Sequence, residues 1–167
     1  MAVSGQGAAY TLLMLQTRTA TSADAPLIAT HRRTMFAAMG GFDSAVLDQI
    51  ERAADPWTAR MIEAGKYLGW IALDDQRPIA SAGLLILDWP PHPLDPIGES
   101  RAYLLNVYVE PEYRRRGLAR ELVSQCMAEA RGRHIRVVSL HASREGAKVY
   151  ADLGFKTTNE MLFRIPD

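Results

Sequence analysis

The spacing of apolar residues along this chain changes period several times, and each change marks an element. From Thr11 to Arg18 the pattern predicts a first strand, preceded by a loose tail over residues 1–9. Thr21 or Ser22 then offers a helix N-cap, and Leu27, Ile28, His31, Met35 and Met39 fall on one side of a helix that Gly40 and Gly41 end. A second helical region runs from Ser44 to about Ala64. Asp55-Pro56 is expected to divide it, as a fresh N-cap followed by a first-turn proline, and Gly65 closes it.

The stretch "YLGWIALDDQRPIASAGLLILDW" reads as an antiparallel hairpin whose turn falls at Asp74 to Arg77. The loop "WPPHPLDPIGES" follows, with four of the nine prolines, stiff and long enough to overhang a site. Ala102 to Val109 is almost continuously apolar, as expected of a strand buried on both faces near the middle of a sheet, and Pro111 stops it. Leu118, Leu122, Cys126 and Ala130 line one face of a helix from Leu118 to about Arg131, which Gly132 caps. "IRVVSLHA" reads as the next strand, and a strand, helix and strand of these lengths imply a right-handed parallel crossover. Ser143 caps a short helix through Leu153, Gly154 ends it, and "FKTTNEMLFRI" is expected to return as a final strand interrupted near Asn159. The sum is an α/β fold on a mixed sheet, with antiparallel strands first, one parallel pair in the middle and an antiparallel strand last. No linker divides the chain, so residues 10–167 are expected to form one domain.

Composition narrows the function. Lys and Arg number 19 and so do Asp and Glu, so no whole-molecule field favours a nucleic acid or an anionic membrane. No stretch approaches the roughly 20 apolar residues that span a bilayer. The single cysteine, Cys126, has no internal disulfide partner, which suits a reducing, cytoplasmic setting, and its helical register marks it as packing. No cluster with metal-ligand spacing stands out. A homodimer is the assembly expected on frequency alone.

Against this neutral background "EPEYRRRG" is anomalous. Arg114, Arg115 and Arg116 precede Gly117 and the start of a helix, whose N-terminus already carries partial positive charge and free N–H groups. A glycine that lets backbone approach closely, helix N–H donors and guanidinium forks together suit a phosphate. The competing reading is a solvated ion-pair surface, with Glu110, Glu112 and Glu121 as partners. Neither "GxxxxGK[ST]" nor "GxGxxG" occurs, which sets aside a mononucleotide P-loop and a dinucleotide fold.

Arg114-Arg115-Arg116-Gly117-Leu118-Ala119 matches the Arg/Gln-x-x-Gly-x-Gly/Ala signature of the GNAT superfamily of acyl-CoA-dependent N-acyltransferases, and "NVYVEPEYR" and "YADLGF" stand in that superfamily's style and order. The chain resembles this family over nearly its whole length, most strongly over residues 102–155. The resemblance implies a GNAT-like mixed sheet with helices on both faces and a central parallel pair, here 102–109 and 135–141, splayed around an acyl-CoA cleft. It implies acetyl-CoA as co-substrate with no metal, the backbone of Val107, Tyr108 and Val109 along the pantetheine arm, and Arg114, Arg115, Arg116, Gly117, Leu118, Ala119 and Arg120 at the phosphates. Val107 N–H would also meet the thioester oxygen.

Direct transfer further requires a deprotonated amine and a proton donor for the departing thiolate. Tyr150 stands where the superfamily keeps its tyrosine acid; a core tyrosine with a bonded hydroxyl is the alternative. Proton transfer from a phenol to a thiolate is uphill by roughly 2 kcal/mol, so hydrogen bonding to sulfur is a sufficient role. Ser143 replaces the asparagine that many relatives place on the pantetheine arm, and is also a plausible N-cap. The strand position that aligns with the relatives' glutamate base holds Tyr103. His141, Glu160 and Glu99 are the other candidates for a base, and none is preferred. Met35, Phe36, Met39, Trp89 and Met161 offer an apolar wall on the acceptor side, and Asn106, a polar residue in an otherwise apolar strand, is expected to face the same way as Leu104 and Tyr108, there either to orient a polar group of the substrate or to bond the backbone at a strand bulge. The chain is thus expected to be an N-acetyltransferase acting on an amine of a small molecule or peptide, with a non-catalytic acyl-CoA sensor as the alternative.

Overall fold

The computed structural model describes residues 15–165. The expected tail over residues 1–9, and the start of the first strand from Thr11, lie outside the described residues. β1 (Leu15–Thr19), β2 (Tyr67–Asp74), β3 (Arg77–Asp88) and β4 (Ser100–Val109) pair antiparallel in chain order, and β5 (Val138–Ser139) joins β4 in parallel. The mixed sheet and its parallel pair are those expected. Asp75, with φ of 57°, makes the tight turn of the β2–β3 hairpin.

A single 3-10 turn, Ser22–Asp24, leads into α1 (Ala25–Met39), which Gly40 ends with a φ of 74°. Asp24 holds the entry: its carboxylate accepts the Thr21 N–H at 2.8 Å and the two Arg18 guanidinium nitrogens at 2.7 and 2.8 Å. α2 (Ser44–Glu63) runs unbroken through Pro56, so the expected division at Asp55-Pro56 is wrong. Leu47, Ala54 and Thr58 are all buried and lie at helical spacing, so one face packs on both sides of the proline. That packing outweighs the roughly 3 kcal/mol an interior proline costs.

α3 (Leu118–Gly132) and α4 (Ala147–Asp152) complete the helices. α3 buries Leu118, Leu122, Val123, Cys126 and Ala130 against Ala80, Ala82, Leu84, Ala102 and Leu104 on one face of the sheet. Cys126 is packing, as its spacing predicts, and burial pushes its thiol up to about 12. α1 lies on the other face, where Ile28 approaches Gly69 and His31 approaches Ser81. Gly83 is glycine for a steric reason: the Tyr67 hydroxyl and ring lie where a Cβ would be.

The middle of β4 carries a bulge. Gly83 is opposite Leu105 while Ser81 is opposite Tyr108, so two steps on β3 face three on β4, and Asn106 takes a φ of 54°. The bulge resets the side-chain alternation. Ala102 and Leu104 pack into the α3 face, and beyond the bulge Val107 and Val109 do, while Asn106 and Tyr108 meet α1. Asn106 therefore does not share a face with Leu104. Nor is β4 buried equally on both sides: its positions alternate buried and half-buried.

Two further expectations fail. β5 is two residues long, not a strand over 135–142, and pairs with β4 only at Ala102↔Val138 and Tyr103↔Ser139. The bulge bends β4 away beyond that point. Residues 155–165 form no strand: Met161, Leu162, Phe163 and Ile165 are 79–93% exposed, because the short β5 offers no edge long enough to pair them. The helix ending is displaced too, the left-handed residue after α3 being His134 (φ 60°) and not Gly132.

Candidate functional site

β4 has no strand beside Leu104 to Val109 on its β5 side among the described residues. The Glu110 N–H donates to Ile79 C=O at 2.8 Å, so by strand alternation the Tyr108 backbone also faces β3, and those of Val107 and Val109 face the open side. Tyr108 is thus not placed to offer backbone groups to a ligand there. Its ring instead lies 4.5 Å from His31, centroid to centroid. Val107 and Val109 do face the gap, and the Val109 C=O accepts Arg114 Nε at 3.1 Å.

The arginine loop follows at once. After the short turn Pro111–Tyr113, Arg115 (φ 60°) and Gly117 (φ 86°) are both left-handed. Left-handed residues in such a turn bring successive N–H groups onto one concave side, an anion-binding arrangement. For Arg115 this conformation costs about 1 kcal/mol or more, so something offsets it. The first helical bond runs from Glu121 N–H to Gly117 C=O at 3.0 Å, leaving the N–H groups of Leu118, Ala119 and Arg120 at the mouth of α3.

Two of the three carboxylates that would make this a mere ion-pair surface are committed elsewhere, and the third makes no ion pair among the described residues. Glu112 binds Arg77 at 2.7 Å, Glu110 accepts the Tyr108 hydroxyl at 3.1 Å, and Glu121 pairs with no arginine among the described residues. Arg116 donates to the Glu112 carbonyl at 2.8 Å and stacks on Tyr113 at 5.1 Å, which fixes its stem. Arg114 has only a long contact, 3.9 Å, to Glu145, and Arg120 one of 3.7 Å to Asp152, which Lys148 already holds at 2.9 Å. The loop therefore concentrates uncompensated positive charge beside an open strand edge. That combination fits the phosphates and extended arm of a coenzyme A.

Tyr150 lies on α4, half-buried, with its ring edge-on to Phe155 at 5.9 Å. Its hydroxyl makes no hydrogen bond among the described residues, unlike the bonded hydroxyl expected of a core tyrosine. Burial raises its pKa, so the phenol keeps its proton at neutral pH. Ser143 Oγ accepts the Gly146 N–H at 3.1 Å within the turn that precedes α4, whose N-cap is Gly146 and not Ser143 as expected. Its hydroxyl proton remains free for another acceptor.

On the acceptor side the structure joins two residues that the sequence presents separately. The Tyr103 hydroxyl and His141 Nδ1 share a hydrogen bond across the start of the β4–β5 gap. Glu160 instead pairs with Arg101 at 3.5 Å, and Glu99 lies before β4 in the loop, its carbonyl accepting the Trp89 N–H at 3.0 Å. Phe36 and Met35 are half-buried, Trp89 shields Arg101 at 4.8 Å, and Met39 and Met161 are too exposed to form a wall. Behind the bulge is a buried polar network: Asn106 Nδ2 donates to the Tyr67 hydroxyl at 3.1 Å, and Arg32 donates to Asn106 Oδ1 at 2.7 Å. Sequence reading passed over Arg32; its one local signal is Phe36 four residues on, over which it stacks.

A cavity of 670 Å³ lies at the opposite end of α3 from the arginine loop, lined by Asp95, Ile97, Met127, Arg131 and Arg136 among others. None of the expected site residues borders it. No helix among the described residues is long and apolar enough to cross a membrane.

Comparison with known proteins accords with this geometry. A family model described as the acetyltransferase (GNAT) family matches residues 37–155. The fold is similar to a GCN5-related N-acetyltransferase from Ralstonia eutropha JMP134, with a TM-score of 0.86, 34% identity, and coverage of 90% of this chain and 98% of that one. It is also similar to a predicted acetyltransferase with acetyl-CoA from Clostridium acetobutylicum, with a TM-score of 0.80, 26% identity, and coverage of 91% and 96% of the two chains. Human N-acetyltransferase 8 is 28% identical over 97 residues, a match that spans 56% of this chain and 40% of that protein.

Proposed function

Because the chain belongs to the GNAT acetyltransferase family, we propose that it moves an acetyl group from acetyl-CoA directly to the primary amine of a small molecule. The observation that carries this reading is the arginine loop: two left-handed residues and a helix N-terminus, whose arginines have only long contacts to carboxylates, beside the unpaired edge of β4. Arg114, Arg115, Arg116, Arg120 and the N–H groups from Gly117 to Ala119 hold the phosphates. Val107 and Val109 present backbone groups to the pantetheine arm, and the Val107 N–H stabilises the oxygen that gains charge during transfer. Acetyl-CoA, when bound, supplies the activated thioester.

Tyr150 donates a hydrogen bond to the departing sulfur. His141 takes the proton from the amine, with Nδ1–H directed to the Tyr103 oxygen so that Nε2 is the free acceptor. This pair does the work that a glutamate does in relatives. A second reading, an acyl-CoA sensor without turnover, draws on the absence of that glutamate, since Tyr103 occupies its place.

Isothermal calorimetry with acetyl-CoA, paired with thiol release across a panel of amines, tests the proposal. Micromolar binding that Arg116→Glu weakens at least tenfold, with turnover on some amine, is the expected result. Binding that survives Arg116→Glu and Arg115→Glu alike overturns the phosphate site, and binding without turnover on any amine favours the sensor.

A further inference from the structure

Arg32 is an acceptor-side group whose charge has no carboxylate answering it among the described residues. Its neighbour Arg33 is paired with Asp48 at 2.7 Å and Glu51 at 3.3 Å, whereas Arg32 has no carboxylate partner among the described residues. It is nevertheless held firmly. The guanidinium lies 4.9 Å over the Phe36 ring and gives one N–H to Asn106 Oδ1 at 2.7 Å, and Asn106 is itself buried and tied to Tyr67. A stacked, half-buried guanidinium with one edge anchored keeps its remaining N–H groups in fork geometry for a planar anion. Burial lowers the pKa of Arg32, the sign of a charge short of compensation.

The surroundings have the same sign. Arg32 and Arg101 both act electrostatically on Tyr103, which carries His141 on its hydroxyl, and the carboxylate that also acts there, Glu160, is spent on Arg101. A polycationic acceptor such as a polyamine or an aminoglycoside meets repulsion here, and an acceptor with a negative group meets attraction. The residue holding the anchor also lies close in the chain to the proposed transfer centre. Asn106, which holds Arg32, is the bulge residue directly before Val107, whose N–H is proposed at the transfer centre.

We propose that Arg32 is a carboxylate anchor and that the acceptor is an amino acid, bound through its carboxylate while its amine faces the thioester beside the bulge. This rests on the acetyl-transfer reading, and the two can fail separately. Calorimetry on the full chain with coenzyme A present, titrating the common L-amino acids and the carboxamide of each, reads the anchor without requiring turnover. At least one amino acid is expected to bind at least tenfold more tightly than its carboxamide. Arg32→Gln should abolish that difference, and Arg32→Lys should keep part of it. Equal binding of acid and carboxamide to the unaltered protein, or binding of neither, overturns the anchor whatever Arg32→Gln does to folding. Thiol release judges transfer apart from this: amino acids that bind without turnover overturn transfer and leave the anchor, while turnover of polyamines alone overturns the anchor and leaves transfer.

Discussion

His31 Nδ1 lies 2.8 Å from Ser81 Oγ in the layer between α1 and the sheet, and the Ser81 hydroxyl in turn reaches the carbonyl of the bulge residue Asn106 at 3.5 Å. The imidazole is only 4% exposed and has no carboxylate partner among the described residues. Burial therefore drives its pKa down from the ordinary 6.5 to about 4.

The consequence is a pH-dependent stability. Between pH 6.5 and 4 the unfolded chain binds a proton at His31 that the folded chain refuses. Stability is then full above about 6.5 and falls as pH drops toward 4, by at most roughly 3 kcal/mol. Urea unfolding at intervals from pH 7.5 to 4.5 should show this slope, and His31→Gln should flatten it. A slope unchanged in the variant would assign the effect to another group.

Asp24 is depressed too, by hydrogen bonding and not by burial. The hydrogen bonds from Arg18, and then those from Thr21, hold its carboxyl at about 2, below the ordinary 3.8. A depressed acid contributes stability that is present above the unfolded value and lost as pH falls through the folded one, here between about 4 and 2. Asp24→Asn should lower stability at pH 7 by about 1 kcal/mol, the scale of a lost cap. It should also reduce the steepness of acid unfolding below pH 4. Circular dichroism melts at pH 7 and pH 3 measure both, and an equal loss at the two values would remove the ionic contribution.

What could be read in the sequence divides along range of interaction. The arginine loop was legible because its parts are contiguous: three arginines, a glycine and a helix start are a local constellation whose physics needs no fold. The hairpin and the α3 face were legible for the same reason, through turn residues and helical period. Pro56 misled because a local helix signal met a long-range one, the continuous burial of Leu47, Ala54 and Thr58. The Asn106 bulge had one local mark, a polar residue in an apolar strand, but its place in the register opposite Ser81 and Gly83 is long-range, so strict alternation misplaced the Asn106 side chain and the Tyr108 backbone. The pairing of Tyr103 with His141 and the hold of Asn106 on Arg32 join residues 38 and 74 positions apart, beyond the reach of any periodicity. The apolar alternation of "EMLFRI" was real as a propensity, but a strand also needs an edge to pair with, and β5 is too short.

Tyr150 is the residue on which the two readings of α4 part most cleanly. A structural tyrosine at this place would be missed through its ring, which packs edge-on against Phe155 and beside Gly146, and Phe preserves that ring. The hydroxyl has no protein partner among the described residues, so its removal leaves nothing behind in the fold to go unsatisfied. Tyr150→Phe should therefore leave the thermal midpoint and acetyl-CoA affinity nearly unchanged. If the hydroxyl bonds the departing sulfur, kcat should fall by about tenfold to a hundredfold with KM for the amine little altered. Burial raises the phenol's pKa and keeps it protonated across the neutral range, so the size of the loss should not vary between pH 6.5 and 8.5. Steady-state kinetics at those two values, beside calorimetry for the cofactor, separate the roles: full kcat in the variant returns Tyr150 to packing alone.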